Sequence, residues 1–141
     1  MNIKLIVFAL FATACAKESE PVEKTPEQLL TQKQWKLVSH GFDTNNNQKI
    51  DPSEEMAEDC EKDNDYIFYA NGTGIVEDNV LKCTNGVSDF SFNWKFVNGQ
   101  KTLDIFYAIL HIQKMNEDEL ILISDDATNG QAARHISIYR H

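Results

Sequence analysis

From Trp35 onward, apolar and polar side chains alternate with a period of two. Phe90, Phe92, Trp94 and Phe96 share one face while Ser91, Asn93 and Lys95 share the other, the pattern of a strand with one buried side. Residues 66–70 and 73–76 flank Asn71-Gly72, which predicts a hairpin whose type I′ turn takes two positive φ angles. Further strands are predicted over 35–40, 102–107, 109–115, 119–124 and 135–140. Asn85-Gly86, Asn98-Gly99, Asn116-Glu117-Asp118 and Asn129-Gly130 punctuate them. The reading is all-β, with about eight short antiparallel strands and no long helix between them. An up-and-down barrel is the expected solution, because closure removes the open edges of the sheet.

Ahead of the strands, Thr25-Pro26-Glu27-Gln28 predicts one short helix. Thr25 suits the N-cap, Pro26 the first turn, and Gln28 the return partner of a capping box. The chain start reads differently. Lys4 precedes an apolar run from Leu5 to Phe11, and Ala12, Thr13 and Ala14 lead into Cys15. A basic residue, a short apolar stretch and small residues at the cut describe a secretory signal. The run is too short to span a bilayer, which takes about 20 apolar residues. With a cysteine directly after Ala14, the segment resembles a bacterial lipobox, which implies acylation of Cys15. The organisation expected is a lipoprotein signal over 1–14, a disordered tether over 15–24 and a barrel domain over 25–141. The tether carries charges and a proline but little apolar surface, and reaches about 17 Å on average.

Charge narrows the partners. Asp and Glu number 22 against 13 Lys and Arg, a net charge of −9. Such a chain does not fit nucleic acid or direct adsorption to an anionic membrane, both of which require clustered Lys and Arg. Contact with the bilayer is expected through the lipid on Cys15, and the protein is expected to be a monomer. Cysteine parity points the same way. With Cys15 acylated, Cys60 and Cys83 remain as an even pair able to form a disulfide in an oxidising compartment. Two reduced thiols are the alternative.

The chain resembles the lipocalin-like lipoproteins of Gram-negative bacteria. The resemblance rests on the lipobox at Cys15, on Trp35-Lys36-Leu37-Val38-Ser39, and on Cys60-Glu61-Lys62-Asp63 before Tyr66. Asn71-Gly72-Thr73-Gly74 and Cys83 complete it. It implies a barrel, export, and anchoring at the outer membrane. True lipocalins carry Gly-x-Trp on the first strand where this chain has Lys33. They also stack a basic residue of the last strand over that tryptophan, a role that falls to Arg140 here. The resemblance implies binding of a small apolar ligand, with Phe68, Phe90, Phe92, Trp94, Leu103, Ile105 and Leu122 lining the cavity. The alternative is that these side chains fill the barrel, since eight strands enclose just enough room for either. The protein would then be an interaction module that binds a protein or glycan through its loops.

One loop carries candidate metal chemistry. Asp43, Asn45, Asn47, Lys49, Asp51 and Glu54 fall at relative positions 1, 3, 5, 7, 9 and 12, the spacing of an EF-hand calcium loop. Five would offer side-chain oxygen and Lys49 its carbonyl. Position 6, where the turn wants glycine, is Gln48. The competing reading is a surface turn followed by a capping box, with Asp51 as N-cap, Pro52 at N1 and Glu54 at N3. No nucleophile elbow, phosphate loop or His-x-x-x-His pair appears, so no enzymatic activity is expected.

Overall fold

Eight strands pair in chain order, each antiparallel to the last, and the eighth returns to the first to close a barrel. They are β1 (Trp35–Asp43), β2 (Asp65–Phe68), β3 (Thr73–Glu77), β4 (Phe90–Val97), β5 (Thr102–Ile105), β6 (Ala108–Met115), β7 (Glu119–Asp126) and β8 (Ala133–Arg140). Among the described residues two short helices accompany them, α1 (Pro26–Thr31) and α2 (Asp59–Lys62). The computed structural model describes residues 23–83, 89–105, 108–126 and 133–141. The signal segment, Cys15 and most of the tether lie outside the described residues.

Directly opposed residues on neighbouring strands share a face, so the register identifies the interior. Val76 pairs with Phe90, Gly74 with Phe92, Trp94 with Ile105 and Phe96 with Leu103. These positions supply much of the core, together with Leu30, Trp35, Phe68, Leu120 and Leu122. Gly74 is required by that packing. A Cβ there would lie 2.3 Å from the Phe92 ring and 2.7 Å from the Ile67 carbonyl oxygen.

The hairpin between β2 and β3 differs from the expected two-residue turn. Gly72 has φ +83°, but Asn71 is absent from the positive-φ residues. The Gly72 N–H donates to the Tyr69 carbonyl (3.0 Å) and the Tyr69 N–H to that of Thr73 (2.8 Å). This is a three-residue loop with a glycine bulge. Asn71 is held by its own side chain, whose oxygen accepts from the Thr73 N–H (3.1 Å) and hydroxyl (2.7 Å). The paired positive φ angles occur instead at Asn98 and Gly99.

One end of the barrel is closed by α1 and Trp35. The predicted capping box forms, with the Thr25 hydroxyl accepting from the Gln28 N–H and the Gln28 side chain accepting from the Thr25 N–H. Leu30 and Trp35 are fully buried, and the indole N–H donates to the Leu30 carbonyl at 2.9 Å. Arg140 does not stack on Trp35. It lies opposite Lys36, on the outer face, and binds the Glu119 carboxylate through Nε (3.0 Å) and an Nη (2.7 Å). The ring on Trp35 is His141, with centroids 3.8 Å apart. His141 follows Arg140 on the inward side, two residues beyond Tyr139, and its Nδ1 lies 2.7 Å from the Gln34 carbonyl oxygen.

Trp35→Phe is expected to cost about 1–3 kcal/mol, because it strands the buried Leu30 carbonyl as well as shrinking the ring. Urea denaturation monitored by far-ultraviolet circular dichroism measures it.

Candidate functional site

The barrel interior divides into an apolar half and a polar half. The apolar half holds a cavity of about 110 Å³ bordered by Phe68, Phe92, Ile105, Leu110, Leu120 and Leu122, with Tyr66 and Tyr139 completing the wall. Of the seven residues assigned to a ligand cavity, Phe68, Phe92, Ile105 and Leu122 border it. Trp94 and Leu103 are buried beside it in the core, and Phe90 is half-buried opposite Val76. Edge-to-face contacts join Phe68 to Phe92 (5.3 Å) and to Trp94 (5.9 Å), which explains why the aromatics fill most of the volume. Tyr66, Leu110, Leu120 and Tyr139 were not singled out by the sequence, because each stands in a strand where nothing separates a cavity wall from packed core.

The polar half follows from β8. Tyr139 opposes Leu120 and Ser137 opposes Leu122, so both point inward, and the alternation carries His135 inward as well. Across the closure, His40 opposes Ser137 and Phe42 opposes His135. His40 Nδ1 stands 3.1 Å from His135 Nε2, and His40 Nε2 stands 3.2 Å from the Glu61 carboxylate. That carboxylate also accepts from the Glu58 N–H at 2.9 Å, the capping contact of α2. Burial raises the Tyr66 hydroxyl above its ordinary pKa, and the charge of Glu61 raises it further. Tyr139 is pushed up in the same way, by burial first, then by Tyr66 and Glu61, against a hydrogen bond from Ser137.

A disulfide between Cys60 and Cys83 fastens this end of the barrel, joining α2 to the connection after β3 across 23 residues. Closing a loop of that size stabilises a fold by roughly 3 kcal/mol in the chain-entropy account. Asp63 adds two bonds to the same connection, from the Leu81 N–H (2.8 Å) and from the Asn79 amide (2.7 Å).

The loop over 43–54 is tightly wound. Asn46 and Gln48 both adopt left-handed φ, +59° and +64°, so Gln48 accepts the conformation that glycine usually supplies. The Asp43 carboxylate accepts from the N–H groups of Asn47 and Gln48, both at 2.9 Å. The amides of Asn45 and Asn47 donate to Asp51, at 2.8 and 3.0 Å, and the Asn47 oxygen accepts from the Lys49 N–H at 2.9 Å. Glu54 accepts from the Thr44 N–H (2.8 Å) and hydroxyl (2.5 Å) and from the Asp51 N–H (3.1 Å). The return half of the capping box therefore forms, but no helix follows it. Asp43 is 2 % and Glu54 8 % exposed, and among the described residues neither carboxylate is ion-paired. The loop also packs on β1, where a Cβ on Gly41 would lie 1.9 Å from the Glu54 carbonyl oxygen.

Among the described residues, one set of three His, Cys, Asp or Glu donors lies within 4.8 Å of one another: Glu58, Cys60 and Cys83. Two of these are disulfide sulfurs, which offer no thiolate to a metal. No protein-family model matches the chain, and no curated protein is significantly similar to it.

The Thr44 hydroxyl, followed by backbone N–H groups, holds Glu54 below the ordinary carboxylate range. For Glu55, burial pushes upward, but hydrogen bonds led by Ser39 outweigh it and the net shift is downward. A carboxyl lowered in the fold contributes stability that is complete above its ordinary value of 4.5. That stability is lost as pH falls through the folded value. The melting temperature is therefore expected to decline below about pH 4.5, and Glu54→Gln to flatten part of the decline, read by differential scanning fluorimetry.

Proposed function

We propose that this protein is a lipid-anchored, lipocalin-like binding protein of the outer membrane whose barrel holds a compact apolar molecule about the size of one ring. The observation that carries this reading is the apolar cavity of about 110 Å³ bordered by the core side chains. Protein interiors are close-packed, and a void of this kind inside a dense aromatic core stands out. Its size sets the ligand. Drug-sized pockets occupy about 300–1,000 Å³, whereas an apolar void of about 150 Å³ takes benzene. A long acyl chain does not fit. The lipobox at Cys15 and the charged tether support the anchor, and the Cys60–Cys83 disulfide fits an oxidising compartment.

Toluene is expected to raise the melting temperature saturably, while a fluorescent long-chain fatty-acid analogue gives no saturable quenching of tryptophan emission. Leu122→Phe, which fills the void, is expected to remove the toluene effect while the protein still melts cooperatively. A toluene response that survives the filled cavity places the ligand elsewhere.

The oxygen-rich loop at 43–54 supports calcium binding as a structural function. Its donors are hard oxygens of the kind Ca²⁺ selects, and two of its carboxylates are buried without a cation. The side-chain oxygens of Asp43, Asn45, Asn47, Asp51 and Glu54 and the Lys49 carbonyl would supply the ligands, with the two asparagine amides turning their oxygens inward. Millimolar Ca²⁺ is expected to raise the melting temperature, and Asp43→Ala to abolish that increment whatever it does to the metal-free protein.

A second reading, an interaction module for a protein or glycan, is favoured by the exposed apolar side chains of two connections. Val80 is 86 %, Leu81 51 % and Met56 50 % exposed.

A further inference from the structure

At the rim of the polar half stands one carboxylate, that of Glu61 on α2, whose side chain is 37 % exposed. That carboxylate is fixed by the Glu58 N–H and by His40, which the register opposite Ser137 turns into the barrel above Tyr139, and its charge also acts on Tyr66 and Tyr139, which border the cavity. The positive side chains are elsewhere. Lys36, Lys95, Lys114, Arg134 and Arg140 alternate with inward residues and pair with Asp65, Asp104, Glu119, Asp125 and Glu119 respectively. Lys62, on α2, acts on Glu55, which is hydrogen-bonded to Ser39 on the outside of β1. Among the described strands, no lysine or arginine takes an inward position.

A carboxylate entering such an interior would lose its hydration without gaining a cation, and would face Glu61. An ammonium group would instead meet the carboxylate of Glu61 and the two tyrosine hydroxyls, whose oxygens can accept from it. We propose that the ligand is a small amphiphile with a cationic head, bound with its apolar ring in the cavity and its ammonium group toward Glu61, and that carboxylates of the same size are rejected. This rests on the reading of the cavity as a ligand site and adds the chemistry of the ligand's polar end.

A series sharing one phenyl ring separates the two claims: benzylamine, benzyl alcohol, toluene and benzoate, titrated by calorimetry at pH 7.5. Benzylammonium is expected to bind about tenfold or more tighter than benzoate, with the alcohol and toluene between them. Glu61→Gln, which keeps the shape and the capping bond, is expected to weaken benzylammonium, improve benzoate and leave toluene within about twofold. Asp59→Asn, an equal charge change on the same helix, is expected to leave the order intact. Toluene binding with benzoate equal to or tighter than benzylammonium overturns the head-group assignment and leaves the carrier reading standing. An unchanged preference in Glu61→Gln also overturns it. Failure of all four compounds overturns both readings.

Discussion

The interior of this barrel depends on a single extra residue in β1. The pairing of β1 with β8 slips between Leu37 and Ser39, leaving Val38 as a bulge that rephases the strand. Below it, Trp35 and Leu37 point inward, and above it His40 and Phe42 do. Without the bulge those two would face solvent, while Gly41 and Asp43 would enter the barrel. The slip therefore places the histidine inside, where Glu61 reaches it, and turns Gly41 outward, where the 43–54 loop packs against it. Ile136, opposite Gly41 on that outer face, is 1 % exposed although it is outside the barrel core.

Two physical regimes meet along the barrel axis. Around Trp35 and Leu103, both fully buried, stability comes from apolar contact and a few satisfied donors. At the opposite end, side chains that would normally seek water are enclosed by α2, by the disulfide and by one another. Each imidazole or carboxylate there has a partner, which is the condition for keeping polar groups in a low-dielectric interior.

The architecture was legible because alternation in residues 90–96 and the Asn-Gly punctuation are local signals. The pairing of Cys60 with Cys83 followed from parity once Cys15 was set aside. The interior polar cluster was not legible. His40 lies beyond the bulge that shifts the phase of β1 and Glu61 lies on α2, and neither the Val38 bulge nor the register between β1 and β8 has a signature in composition. The four-residue helix α2 escaped for a similar reason, since its periodicity is too brief to separate from a loop. Arg140 was assigned to Trp35 by its place near the chain end, whereas its register opposite Lys36 turns it outward. In the 43–54 loop, Asn46 and Gln48 take left-handed φ where the sequence offered no glycine, and Glu54 returns to the Asp51 N–H as in a capping box.

The position of α1 sets the end of the barrel from which the chain runs toward Cys15. The helix lies against β2 and β6 at the end closed by Trp35, and Lys24 before it is paired with Glu117 in the adjoining turn at 2.8 Å. Any tether running back to Cys15 leaves from that closed end. Under the proposed anchoring, the sealed floor would lie nearer the point of attachment and the disulfide-braced rim farther from it. Solutes would then arrive from the water side, and discrimination by charge would begin at the rim before any molecule reached the cavity.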